Sequence, residues 1–171
     1  MGLRQTLASL ATSVVFGVAA GHAQEVEKPP LQAGEWIFQC EEDDNFLSCE
    51  VLYIADIIVE EQRLPIFRFS LSKTDDGKDY AVLYFPYMVD LYLGMAPTLF
   101  VDGHKLDSVP WMNCTVDGCW AHKAMPSKTV RAMKRGREAV MRVQLLDGRH
   151  FDVSFTLLGI TSSLDKLGAA K

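Results

Sequence analysis

Residues 141–158 read MRVQLLDGRHFDVSFTLL, the clearest strand signal in the chain. Apolar and polar side chains alternate on both sides of Asp147-Gly148, as they do in paired strands that each bury one face. Asp-Gly favours a two-residue hairpin turn, because glycine accepts the positive φ that this turn requires. The stretch therefore predicts an antiparallel β-hairpin near the end of the chain.

The same alternation extends towards the N-terminus. Residues 64–72 and 80–85 flank a polar turn and predict a second hairpin. Asp102-Gly103 is another tight hairpin signal. Further strands are predicted where short apolar runs lie between turn signals, at 36–40, 46–58 (as one or two strands), 90–94 and 98–101.

Two short helices complete the prediction. Residues 126–135 begin with a proline suited to a first helical turn and stop at Gly136, which suits the C′ position. Residues 161–167 place Leu164 and Leu167 on one helix face. Many short strands with little helix predict an all-β chain, an antiparallel β-sandwich or barrel-like domain with one or two short helices.

The first residues predict an export signal. In residues 1–23, Arg4 precedes an apolar run that ends in a small-x-small cleavage site at Ala23. Residues 24–34 are polar, contain two adjacent prolines and predict a flexible lead-in. A single β-domain over 35–168 remains, and no segment of this mature chain is long and apolar enough to be a transmembrane span.

The charge balance argues against a nucleic-acid binder. Without the signal peptide, 16 basic residues face 22 acidic ones, a net charge of −6. The charge is uneven, since 25–62 hold eleven acids and one base whereas 123–137 hold six bases and no acid. Such runs either steer a charged partner or form solvated surfaces that complement each other in the fold, and the second case is the more common.

The four cysteines form two close pairs, Cys40 with Cys49 and Cys114 with Cys119. An exported chain meets oxidising conditions, in which such cysteines become disulfides rather than nucleophiles or zinc ligands. Their spacings, C-x8-C and C-x4-C, also differ from the C-x2-C pairs of zinc sites. Four cysteines allow three connectivities, and the pairing of neighbours is favoured because the others would link distant strands.

No catalytic constellation stands out in the sequence. The nucleophile pattern G-x-S-x-G is absent, and so is a glycine-rich phosphate loop. His104, His122 and His150 occur in turns or on polar strand faces, without the spacing of metal ligands. The chain is therefore predicted not to be an enzyme and to hold no metal or cofactor.

Aromatic residues are the candidates for a binding surface. Trp111 and Trp120 flank the second cysteine pair, and Tyr84, Tyr87 and Tyr92 lie in the middle of the chain. Exposed, these side chains would suit a protein or glycan surface. Buried, they would pack over the disulfide, and burial is the favoured interpretation for Trp120.

Several motifs, taken in order, resemble one protein family. They are Trp36-x3-Cys40, Cys49, the tract Leu91-Tyr92-Leu93-Gly94, Val101-Asp102-Gly103, CTVDGCWA at 114–121 and FTLLGI at 155–160. Over 36–167 the chain is similar to the invasion-associated locus B (IalB) family. The resemblance implies a small exported α-proteobacterial protein in a family named for a role in host-cell invasion. It carries over the four cysteines as structural positions and implies no catalytic residue.

Two functional hypotheses follow. The first is a non-enzymatic envelope protein that binds a protein or another envelope or host surface component, in host-cell interaction or invasion. Export, disulfides, aromatic side chains and the lack of a catalytic set favour it. The second is a periplasmic small-ligand or metal-binding module. The predicted location is periplasmic, outer-membrane associated or secreted.

Overall fold

The computed structural model describes residues 36–43, 46–86 and 90–170 of the 171-residue chain. Within these ranges the chain forms ten strands and two helices. In chain order they are β1 Ile37–Asp43, β2 Phe46–Val59, β3 Gln62–Lys73, β4 Asp79–Pro86, β5 Thr98–Val101, β6 His104–Ser108, β7 Trp111–Cys114, β8 Gly118–Ala124, α1 Ser127–Arg135, β9 Glu138–Gln144, β10 His150–Thr156 and α2 Ile160–Ala169. The predicted signal peptide and lead-in lie outside the described residues.

The strands form two antiparallel sheets. One has six strands in the order β1-β2-β3-β4-β8-β7, and the other has four in the order β10-β9-β5-β6. The predicted all-β architecture is confirmed as two sheets, and the described strands do not close into a barrel. Because β5 and β6 stand between β4 and β8 in sequence, neither sheet is a continuous segment of chain.

The local hairpins lie where the sequence predicts them. β9 and β10 pair around Asp147-Gly148, β5 and β6 pair around Asp102-Gly103, and β3 pairs with β4. Gly103 and Gly148 both have positive φ, at 79° and 85°, which is why glycine follows aspartate in each turn. The tract at 46–58 is one strand, β2, rather than two.

The core joins residues of both sheets and both helices. Phe155 of β10 has its ring centroid 5.2 Å from that of Tyr53, 5.7 Å from that of Phe69 and 5.9 Å from that of Phe67. All four side chains are at most 2% exposed. Burying each one contributes roughly 1.5–3 kcal/mol, so this aromatic cluster is a main reason why the sheets face each other.

The segment at 90–94 is not the predicted strand. Leu91 makes a single bridge to Leu145, and the chain passes here from the six-stranded to the four-stranded sheet. The Tyr92 N–H donates to the carbonyl of Gln144 at 2.8 Å. Because the segment crosses between sheets, its apolar residues do not alternate between two faces as those of a strand do.

Both predicted helices are present. α1 begins after Pro126, and α2 is longer than the predicted 161–167. Gly136 at the end of α1 is extended, with φ −77°, and does not take the left-handed conformation of a C′ glycine. A Cβ there would lie 2.3 Å from Val101 Cγ1 and 2.9 Å from Leu157 Cδ1, so close packing requires the glycine. Neither helix in the described ranges has the length and apolar character to cross a bilayer.

Candidate functional site

A disulfide ties each edge strand of the six-stranded sheet to its neighbour. Cys40 of β1 is bonded to Cys49 of β2, and Cys114 of β7 is bonded to Cys119 of β8. In both cases the cysteines are directly opposed in the strand register, with 4.0 Å between their Cα atoms. The structure thus pairs neighbouring cysteines and leaves none of the four as a free thiol.

At the β1 edge, a tryptophan joins the two sheets. The Trp36 indole Nε1–H donates to the carbonyl of Thr156 in β10 at 2.8 Å. Its ring centroid lies 5.6 Å from that of Tyr53, 6.0 Å from that of Phe69 and 6.1 Å from that of Phe155. Trp36 is half-buried and closes the aromatic core at this edge.

At the β7 edge, Trp111 makes a corresponding contact with a loop. Its Nε1–H donates to the carbonyl of Met95 at 2.8 Å, and its ring makes a T-shaped contact with Phe85, with centroids 5.9 Å apart. Met95 belongs to residues 90–97, which we call the crossing segment because they pass between the sheets. Trp111 therefore holds the crossing segment against the edge of the six-stranded sheet.

Exposed apolar side chains lie close in sequence to both partners of the Trp111–Met95 contact. They belong to the crossing segment and to β7, and their exposed fractions run from 44% to 63%: Tyr92, Leu93, Met95 and Met112. We call these four residues together with Trp111 the apolar patch. The Tyr92 ring folds over Gly94, where a Cβ would lie 2.5 Å from ring atoms. The patch therefore depends on a glycine that lets the loop stay compact.

The five aromatic residues predicted as a binding surface do not lie together. Trp111 and Tyr92 belong to the apolar patch. Tyr84 and Trp120 lie on the other face of the six-stranded sheet, where they are opposed in register and stack with centroids 4.4 Å apart. Tyr87 lies outside the described residues.

Strand alternation explains this division. Phe85 of β4 contacts Trp111 on the inner face, so its neighbour Tyr84 points to the outer face. The Tyr84 hydroxyl donates to the carbonyl of Asp117 at 2.7 Å, in the turn between Cys114 and Cys119. Tyr84 therefore supports the disulfide hairpin from the outer face.

The binding surface predicted from the sequence does not include the non-aromatic residues of the apolar patch. Leu93, Met95 and Met112 are missing from it, because that prediction counted only aromatic rings. The signal that would have found the first two is a run of apolar residues interrupted by Gly94 and Pro97. Apolar residues in such a broken segment cannot all be buried by strand pairing.

Polar groups on the outer face of the six-stranded sheet are paired with each other. The Tyr80 hydroxyl hydrogen-bonds with His122 Nδ1, and the Glu50 carboxylate accepts from Arg68 and from Gln39, the latter at 2.8 Å. In the part of the chain that the structure describes, no group of three or more His, Cys, Asp or Glu side chains is placed to hold a metal.

The carboxyl groups with the clearest pKa shifts lie in exposed turns. Hydrogen bonds from Lys78 and Thr74 lower the pKa of Asp76 to about 2. The backbone N–H groups of Arg137 and Glu138 donate to Asp102 at 3.0 and 3.1 Å and lower the pKa of its carboxyl. The Asp102 carboxylate holds turn backbone in place, a common role of aspartate, and Asp76 binds side chains of its own turn.

Comparisons with known proteins agree on one family. A family model described as invasion associated locus B (IalB) protein matches residues 36–168. The fold is similar to the crystal structure of invasion associated protein B from Bartonella henselae, with a TM-score of 0.67 and 18% sequence identity. That match covers 81% of this chain and 93% of the other, and at this identity it establishes the fold alone. Comparison with curated proteins finds no match.

Proposed function

We propose, since the chain belongs to the invasion-associated locus B family, that it is an exported envelope protein that acts by binding and not by catalysis. Its partner is a protein of the envelope or of a host-cell surface, and binding serves host-cell interaction. The proposed location is the periplasm, the outer membrane or the exterior. Two disulfides support export, because such bonds persist in oxidising compartments.

The apolar patch is the observation that carries this proposal. Large contiguous apolar patches on soluble proteins commonly mark interaction sites. Met112 is 63% exposed and follows the half-buried Trp111 in β7, and Leu93 is 48% exposed in the crossing segment that Trp111 holds. Large apolar and aromatic side chains of this kind are enriched at the centres of protein interfaces.

The patch is presented on backbone that is already fixed. Trp111 donates to the Met95 carbonyl, Tyr92 donates to the Gln144 carbonyl, and the Val109 N–H donates to the Pro97 carbonyl at 2.9 Å. A surface held in this way loses little conformational entropy when a partner binds. The flexible side chains of the methionines let the same backbone adapt to the shape of the partner.

A non-enzymatic role is supported by how the reactive groups are used. The four cysteines are consumed as disulfides, and the carboxylates of Asp76 and Asp102 hold turns. His122 is engaged with Tyr80 on the sheet surface. These groups therefore serve the fold, while the apolar patch is left free to contact another molecule.

Site-specific photocrosslinking in the protein's own cells tests the proposal. A photoreactive residue replaces Met112 in the apolar patch, and the matched control replaces Val59, an apolar residue 41% exposed at the end of β2. We expect a discrete partner adduct from position 112 and none from position 59. Adding Leu93→Lys should remove that adduct, because a charged side chain at the centre of an interface must be desolvated.

The same experiment can contradict the proposal. Identical adducts from both positions would mean that contact is random rather than directed by the patch. Persistence of the adduct in the Leu93→Lys variant would place the binding surface elsewhere.

A further inference from the structure

A second surface, formed by α1, carries concentrated positive charge. The buried side of this helix is formed by Thr129, Val130 and Met133. At about 100° per residue, Lys128, Arg131 and Arg135 fall within an arc of about 60° on the opposite side. All three cations are exposed. We call them the basic face.

Among the described residues, the basic face has no ion-pair partner. Two neighbouring cations do: Lys134 pairs with Asp165 at 2.8 Å and Lys123 pairs with Asp107 at 2.9 Å. The whole chain has a net charge of −5, so an unpaired cluster of cations is not a consequence of its composition. The cluster gives the molecule a positive side on an otherwise acidic surface.

A pocket extends the basic face beyond the helix. It has a volume of about 210 Å³ and is lined by Lys105, Leu106, Lys128 and Thr129, at the first turn of α1. Lys105 adds a cation from β6. Asp107, which lies near Thr129, is neutralised by Lys123 and does not cancel the charge of the pocket.

The other end of the helix has an exposed apolar neighbour. The Leu157 N–H donates to the carbonyl of Arg137 at 2.9 Å, just after α1, and the next residue, Leu158, is 76% exposed. Clustered Lys and Arg side chains attract anionic lipid headgroups, and an exposed leucine beside them adds apolar contact at the headgroup boundary. A soluble polyanion would use the cations and gain nothing from Leu158.

We propose that the basic face of α1 docks on an anionic phospholipid surface. The cations contact lipid phosphates, the pocket between Lys105 and Lys128 accepts one headgroup, and Leu158 enters the interface. This inference goes beyond the proposed function and concerns different elements from the apolar patch. Docking here leaves the patch free to meet a partner, since the two surfaces share no residue.

Vesicle sedimentation of the protein, purified with both disulfides intact, tests the inference. We expect binding to vesicles of phosphatidylcholine mixed with phosphatidylglycerol, and none to phosphatidylcholine alone. Each cation contributes about a tenfold change or less in affinity, so Lys128→Glu/Arg131→Glu/Arg135→Glu should weaken binding on the order of a hundredfold or more. Salt at about 0.5 M should weaken the wild-type interaction as well, because it screens exposed charges.

A matched control variant distinguishes the effect of the basic face on vesicle binding from the effect of net charge. Arg63→Glu/Lys78→Glu/Arg149→Glu makes the same change in charge at side chains that are 69–71% exposed and belong to other turns and strands. This variant should keep most of the vesicle binding. If the charge reversal in α1 prevents folding, the glutamine variants at the same three positions replace it, because glutamine is a good helix former.

Several results would overturn the inference. They are no binding to anionic vesicles, equal binding to neutral ones, and equal losses in the α1 and control variants. Retention on heparin without vesicle binding would also overturn it, because the partner would then be a soluble polyanion. Photocrosslinking at Met112 is scored separately, so failure of docking and failure of partner binding remain distinguishable.

Discussion

The two edges of the six-stranded sheet each contain a tryptophan and a disulfide, but the surroundings of these residues differ. Each has a tryptophan followed within a few residues by a cysteine that is bonded to the neighbouring strand. Trp36 and Trp111 each donate their indole N–H to a backbone carbonyl outside the sheet, at 2.8 Å in both cases. The tryptophan therefore makes the same kind of hydrogen bond at both edges.

The surroundings of the two tryptophans differ. Trp36 lies among three core rings, and β1 pairs with β2 over seven opposed positions. Trp111 contacts one ring, Phe85, and β7 is four residues long with an irregular register. One edge seals the core, whereas the other supports an exposed surface. A motif that looks alike in sequence can thus close the core in one place and support an exposed surface in another.

Removing the indoles should have the largest effect and tests the comparison directly. We expect Trp36→Ala to lower the free energy of unfolding by about 3 kcal/mol, because it opens the aromatic core. Trp111→Ala should cost about 1–2 kcal/mol, mainly from one hydrogen bond and one ring contact. Urea unfolding monitored by circular dichroism measures both, and equal losses would end the distinction between the edges.

Gly118, at the β7 edge, provides a second test of the comparison between the two edges. A Cβ on Gly118 would lie 2.3 Å from the Phe85 carbonyl oxygen and 2.9 Å from Pro86 Cα, both of them backbone atoms. Gly118→Ala should therefore cost about 2–3 kcal/mol in unfolding free energy. The control is Gly168→Ala in α2, which meets no atom within 4 Å and should not destabilise. If Gly118→Ala left the unfolding free energy unchanged, β8 would not be held closely against β4.

The disulfides should contribute nearly equally at the two edges. Their cysteines are separated by 9 and 5 positions in sequence, so loss of the crosslink costs about 2.5 kcal/mol for Cys40–Cys49 and about 2 kcal/mol for Cys114–Cys119. Alanine at both cysteines of one pair, measured by thermal unfolding, checks each value. A much larger loss at one edge would show that its disulfide holds native contacts and does more than restrict the unfolded chain.

The smallest effect on stability should come from the apolar patch itself. Leu93→Lys with Met112→Lys should change the unfolding free energy by less than about 0.5 kcal/mol each, since both side chains are exposed. Partner capture should nevertheless be lost. Ile58→Lys, at a side chain 38% exposed in β2, is the control and should keep the partner. A large loss of stability would assign the patch to the fold instead.

Local structure was predictable wherever neighbouring residues settle it. The β9–β10 hairpin follows from alternation around Asp147-Gly148, and the disulfides follow from cysteines that oppose each other in hairpins. The sequence predicts a strand at 90–94, whereas these residues cross between the sheets, because which sheet the next strand joins is not set by local residues. The sequence predicts correctly that α1 ends at Gly136. It does not reveal why glycine is needed there, because the side chains packed against it, Val101 and Leu157, are distant in sequence.

The candidate site was predictable only in part. Trp111 and Tyr92 are in the apolar patch, but Tyr84 and Trp120 are on the other face of the sheet. Bringing Tyr84 and Trp120 together depends on the pairing of β4 with β8, and these strands are separated in sequence by β5, β6 and β7. Period-2 patterns fix faces within a strand and say nothing about which strands become neighbours.

The cysteines are joined in the order in which they occur, first with second and third with fourth. If the chain is exported from its N-terminus, as proposed, Cys40 and Cys49 emerge long before Cys114. Each thiol therefore meets its native partner first, and a dithiol oxidase alone can complete both crosslinks. The slow reshuffling that rescues crossed disulfides is not needed, so maturation should proceed without an isomerase.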